Sequence, residues 1–98
     1  MRYYSAKADE NQPEIVKELR RLGAYVLHIH RIKNCCDLVV LYRGIVVMVE
    51  VKMPGKGLTE GEDKFQAEWA KNGGKYAVIR SKAEANELIN HIAKGARQ

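Results

Sequence analysis

The sequence predicts an α/β domain in which a mixed central β-sheet is flanked by helices, with elements in the order αβββαβα. Three observations carry this reading: apolar residues at helical spacing near both ends, β-branched runs in the middle, and glycine or proline punctuation between them. With 98 residues the chain can bury one modest core, so residues 1–98 are read as a single domain.

The first ten residues are polar with two tyrosines and read as an arm leading into a helix. Asp9 or Asn11 can cap that helix, and Pro13 suits its first turn. Ile15, Leu19 and Leu22, with Val16 beside them, fall on one face, while Lys17, Arg20 and Arg21 point away. Gly23 is a natural stop. Ala24 to Arg31, Asp37 to Tyr42 and Ile45 to Lys52 have the β-branched and aromatic content of strands. Arg43-Gly44 is a two-residue hairpin turn between the last two. Ile45 to Val49 is apolar on both pleat faces, so that strand is expected to be central and covered on both sides.

Pro54, Gly55 and Gly57 break the pattern into a loop. Thr59 with Glu62 matches a capping box for a second helix, which carries Phe65 and Trp69 on one side and ends at Gly73-Gly74. Tyr76 to Ile79 is a short buried strand. Ser81 with Glu84 matches another capping box before the stripe Ala85, Leu88, Ile89 and Ile92. There are no internal repeats, no low-complexity tracts and no linker.

Apolar residues make up 46% and charged residues 30% of the chain, which excludes a disordered chain. The formal charge of +5 is spread from Arg2 to Arg97 and suits a polyanionic partner such as nucleic acid. The longest apolar run is far too short to cross a bilayer, and the N-terminus lacks the apolar stretch of a secretory signal, so no membrane partner and a cytoplasmic location are expected. Cys35 and Cys36 are adjacent, and neighbours do not easily reach an unstrained disulfide, so a disulfide framework is excluded.

The hairpin makes a geometric prediction. If Arg43 and Gly44 form the loop, Tyr42 pairs with Ile45, and counting outward puts Asp37 directly across from Glu50, with Cβ atoms roughly 4.5–5.5 Å apart. Lys52 projects from the same face as Glu50. Like charges directly opposite on a sheet are destabilising, so something should compensate them. Mg2+ or Mn2+ fits, because hard cations prefer carboxylate oxygens and can also take a main-chain carbonyl, here that of Val51. Such an ion serves phosphodiester hydrolysis, with Lys52 orienting the attacking water or neutralising the phosphorane. A second reading pairs Glu50 with Lys52 or Lys33 at a strand end and leaves Asp37 to support a turn.

Asp37, a hairpin, and then Glu50-Val51-Lys52 resemble the core motif of the PD-(D/E)XK nucleases. The segment Asn11-Gln12-Pro13-Glu14-Ile15-Val16 followed by Gly23 resembles the VRR-NUC branch of that superfamily. The likeness continues through the glycine loop, Leu58-Thr59, Trp69 and the closing strand and helix. It implies a restriction-endonuclease-like core and a metal-dependent endonuclease that hydrolyses DNA phosphodiester bonds. By analogy with stand-alone members and junction-resolving relatives, the substrate is branched or four-way DNA. It also implies an acidic metal ligand from the first helix, which points to Glu14. The chain departs from the motif at Cys36, where the family has proline. The branch also places a glutamine early in the helix after the loop, where this sequence offers Glu62 or Gln66, and Gln66 is taken as a possible DNA contact. The alternative is a non-catalytic DNA-binding module, or a subunit of a larger nucleic-acid-processing machine.

His30, Arg31, Lys33 and Asn34 lead into Asp37, and Lys56 lies in the glycine loop. These groups can bind phosphates on either side of the scissile bond without reading bases. His28 and His30 near Cys35-Cys36 match no standard zinc spacing, and Phe65, Trp69 and Tyr76 are read as core. No small-molecule cofactor is expected. One site cuts one strand, so a four-way junction or a duplex break calls for a homodimer with two sites.

Overall fold

The computed structural model describes residues 9–29 and 31–96. Their elements are α1 (Gln12–Arg21), β1 (Tyr25–His28), β2 (Leu38–Tyr42), β3 (Ile45–Val51), α2 (Glu60–Lys71), β4 (Lys75–Ile79) and α3 (Lys82–Ala96). This is the predicted order, with β1 shorter than its β-branched run and with Asp37 and Lys52 just outside their strands.

Strand order is β1-β2-β3-β4, antiparallel except for the parallel pair β3-β4. Arg43 at φ 50° and Gly44 at φ 81° give the two positive angles that a tight right-twisted hairpin needs. They set the register from Tyr42↔Ile45 to Leu38↔Val49. A parallel neighbour requires a crossover, and α2 supplies it between β3 and β4.

One sheet face is closed. Ile15 and Leu19 of α1, Ala85 and Ile89 of α3, and Leu38, Val40, Val49, Val51 and Ile79 of the sheet form a continuous buried core. A polar tie joins the two covering helices. Glu18 is buried, accepts from Arg21 Nε and Nη2 at 2.7 and 2.9 Å, and accepts from Asn86 Nδ2 of α3 at 3.2 Å. Arg21 first and Asn86 second hold its carboxyl down at about 2.

The other face is only partly covered. α2 buries no residue fully and packs Phe65 and Trp69 toward β4. Tyr25, Leu27, Leu41 and Val46 stay exposed, at 63%, 45%, 40% and 46%. β3 is therefore interior in the sheet, as expected, but it is not covered on both sides, contrary to what its apolar run predicts. α2 lies over the neighbouring strand and leaves the hairpin bare. No helix among the described residues is long and apolar enough to cross a membrane.

Candidate active site

The C-terminal end of β3, the start of β2 and the first turn of α2 meet on the open face. The antiparallel ladder runs in the predicted register to Leu38↔Val49 and then changes. The Asp37 N–H donates to Val49 O at 3.0 Å instead of reaching Glu50, and its carbonyl accepts from Ile29 N at 2.8 Å. Its carboxylate Oδ2 takes the Val51 N–H at 2.7 Å. Asp37 thus caps the strand edge with its own side chain. The N–H and C=O of a strand residue point to the same lateral side, so the Val51 carbonyl also faces toward Asp37.

Glu50 is 5% exposed. Lys52 Nζ lies 3.4 Å from Glu50 Oε2 and 2.7 Å from Glu62 Oε1. Glu62 is fixed by the predicted capping box: its carboxylate accepts from Thr59 N at 2.9 Å, and Thr59 Oγ1 accepts from Glu62 N at 3.2 Å. One residue therefore starts α2 and brings a second carboxylate to Lys52. The second predicted box is shifted: Ser81 Oγ accepts from Glu84 N as expected, but Glu84 accepts from Arg80 N.

The electrostatics follow from burial. Desolvation pushes the Glu50 carboxyl up to about 9, with Glu62 and the charge of Asp37 adding to it and Lys52 opposing. Burial also raises Asp37, against the stabilising Val51 N–H. Partial burial works to raise Glu62 too, but hydrogen bonds with Glu50, Lys52 and Thr59 outweigh it and hold the group at about 2. Burial disfavours the Lys52 charge, yet Glu62 and Glu50 keep its ammonium above the ordinary lysine value. The site therefore holds more buried acid than its single ammonium balances.

That imbalance fits a hard divalent cation. Among the described residues no three side chains of His, Cys, Asp and Glu are grouped to enclose a metal by themselves. Asp37, Glu50 and the Val51 carbonyl are the oxygen donors at this strand end that could hold such an ion, which would need water to fill the rest of its shell.

The remaining predicted residues lie outside this cluster of charges. Glu14 is exposed in the first turn of α1 and makes no hydrogen bond or ion pair among the described residues. Successive helical residues turn by about 100°, so Glu14 points away from Gln12. Gln12, 2% exposed, is the residue that α1 turns inward, with Nε2 3.4 Å from His28 Nδ1. Asn11 sits at the N-cap position without capping, because its Nδ2 donates to Lys52 O and Arg80 O, both at 3.0 Å. Asp9 contributes charge that acts on Asp37. The helix start thus reaches the site through Asp9 and Asn11.

Arg31, Lys33 and Asn34 are exposed in the β1–β2 loop, Lys56 is exposed in the glycine loop and Gln66 is half-buried on α2. His30 lies outside the described residues. Asn34 packs under α2, since a Cβ on Gly61 would come within 2.5 Å of its side chain. Lys56 O accepts from Arg80 Nε and Nη2 at 3.0 and 2.7 Å, a clamp on the glycine loop that no sequence motif announces. Cys35 and Cys36 are free, with Sγ atoms 3.5 Å apart.

No family model matches the chain, and no curated protein matches it. A solved structure described as a VRR_NUC domain superimposes on 82% of this chain and 90% of its own, with a TM-score of 0.69 and 25% sequence identity. The chain is therefore similar in fold to a VRR_NUC domain over most of both chains, and Asp37, Glu50 and Lys52 lie at the end of the central hairpin of that fold.

Proposed function

We propose that the chain is a divalent-metal-dependent endonuclease that hydrolyses DNA phosphodiester bonds, with preference for branched or four-way DNA. The observation that carries this reading is the pair of desolvated acids, half-buried Asp37 and buried Glu50, beside Lys52 at one strand end. A module that only bound DNA would gain nothing from buried carboxyl groups facing phosphate.

Asp37, Glu50 and the Val51 carbonyl would hold Mg2+ or Mn2+. When bound, the ion polarises the phosphodiester and offsets charge that develops on the attacking and leaving oxygens. Lys52 orients the attacking water or neutralises the pentavalent phosphorus centre from its place at the end of β3. Glu62 holds the Lys52 ammonium at 2.7 Å and so fixes its direction. Glu50 must give up its proton before it can serve as a ligand, so metal uptake releases a proton and strengthens as pH rises.

Arg31, Lys33 and Lys56, exposed on loops beside the site, with Asn34 and Gln66 near them, are assigned to phosphate contacts. A homodimer completes the proposal, because resolving a junction needs two incisions in fixed relation. The bare sheet face around Tyr25, Leu27, Leu41 and Val46 is an apolar surface that pairing would cover. The test is a cleavage assay on linear, nicked, flapped and four-way DNA with and without Mg2+ or Mn2+. Metal-dependent cutting that favours the branched substrates is expected. Absence of cutting on every substrate would overturn the reading.

A further inference from the structure

Three buried side-chain polar atoms among the described residues have no hydrogen-bond partner: Asn11 Oδ1, Gln12 Oε1 and the Tyr76 hydroxyl. The two amides are engaged through their NH2 groups. Tyr76 has one polar atom, and that atom is unpaired. A hydroxyl that loses water without gaining a partner costs stability, so its retention calls for a reason.

The register supplies one. Tyr76 pairs with Met48, and Val78 pairs with Glu50, so Tyr76 lies on the Glu50 face of the sheet, two residues short of it. Two residues of strand rise about 6.6 Å, a span comparable to the reach of a phenol. The ring is held in place. Phe65 packs on it at 6.0 Å and stacks at 5.7 Å on Trp69, whose Nε1 donates to Lys75 O at 2.9 Å. A Cβ on Gly74 would meet the Trp69 indole at 2.2 Å, so a glycine there lets the indole lie flat against the chain. Burial first, then the charges of Glu50, Cys36, Glu62 and Asp37, raise the phenol well above its ordinary range, so it remains a donor. The groups that act on this hydroxyl are those of the candidate site.

We infer that Tyr76 is a positioning residue of the nuclease site: its buried hydroxyl, unpaired in the metal-free protein, would donate to the Glu50 carboxylate when a divalent cation binds and so fix the oxygen that faces the ion. The inference rests on the nuclease reading above. Groups that hydrogen-bond a ligating carboxylate orient it, and their loss typically costs about 10–100-fold in metal affinity or activity.

Tyr76→Phe deletes the hydroxyl and keeps the ring. Titration calorimetry of Mn2+ into the DNA-free protein should show affinity reduced about 10-fold or more relative to wild type. The cleavage rate at saturating DNA should fall while KM for DNA is unchanged, and the thermal midpoint should stay level or rise because an unpaired buried group is gone. A merely structural hydroxyl would lower the midpoint and leave Mn2+ affinity alone, and that result overturns the inference. Wild type that binds Mn2+ and cuts DNA, with Tyr76→Phe equal to it on both counts, overturns it while sparing the nuclease reading. Wild type that does neither overturns both.

Discussion

β3 serves two different surfaces. Toward α1 and α3 it presents Val47, Val49 and Val51, each at most 2% exposed, within a closed aliphatic core. On the opposite pleat it presents Val46, half in solvent, then Met48, then Glu50 buried beside Lys52 and Glu62. The first surface excludes water and has no charge to satisfy. The second collects carboxyl groups that repel one another under a helix that buries no residue of its own. Stability is concentrated on one side of the sheet, while on the other a destabilising cluster is held in place by that stability. Clustered, desolvated acid groups of this kind mark functional sites more often than structural ones.

If the two faces divide the work in this way, substitutions should separate cleanly. Asp37→Asn, Glu50→Gln and Lys52→Ala should each reduce cleavage by orders of magnitude and leave the far-ultraviolet circular dichroism of the protein unchanged. Leu38→Ala, on the closed face, should do the reverse, costing about 2–5 kcal/mol in chemical denaturation while the folded fraction still cuts. Wild-type cleavage by any of the first three would break the division.

The acidic cluster also has a thermodynamic signature. Folded Glu50 keeps its proton to about 9 against an ordinary 4.5, so between those values the folded chain holds a proton that the unfolded chain has lost. On that account stability falls as pH rises. Glu62, held at about 2, acts oppositely: its contribution is complete above 4.5 and lost as pH falls toward 2. Glu50→Gln removes the first effect, so its melting temperature should gain on wild type from about pH 5 to about pH 8. A constant difference across that range would show that Glu50 is not buried as an acid.

Much of this fold can be read from the residues, because the signals are local. Arg43-Gly44 fixes a hairpin and, through it, the register as far as Leu38↔Val49. Thr59 and Glu62 announce the start of α2. What tertiary packing decides is harder to read. Glu14 looks like an acid near the site until α1 docks, when Asn11 binds the ends of β3 and β4 and the helix phase turns Gln12 inward. The ladder change at Asp37 follows from its carboxylate taking the Val51 N–H, an outcome that counting along a hairpin does not contain. The apolarity of β3 on both faces announces burial, but the coverage depends on where α2 comes to rest. The role of Tyr76 is hidden for a related reason, since an aromatic in a short strand looks like core whether or not its hydroxyl has a partner.

Smaller effects sharpen the same contrast. Glu14→Ala should leave the Mn2+ titration of cleavage unchanged, as its exposed position requires. A weakened Mn2+ dependence would return it to the site. Metal-free DNA binding should fall steeply with added salt, and Lys33→Ala or Lys56→Ala should each lower the slope of log K against log salt by about 1. A slope indifferent to both changes would move the DNA footprint away from these loops.

On the proposed reading, half-buried Asp37 and buried Glu50 are brought together to hold a divalent cation at a phosphodiester. Titrating Mn2+ into wild type and Asp37→Asn, each bound to a labelled four-way junction, tests it most directly. The account predicts saturable, Mn2+-dependent strand scission in wild type, and none in Asp37→Asn although that variant still binds the junction. Equal scission by the two proteins, or scission by wild type that persists in a chelator, would contradict it.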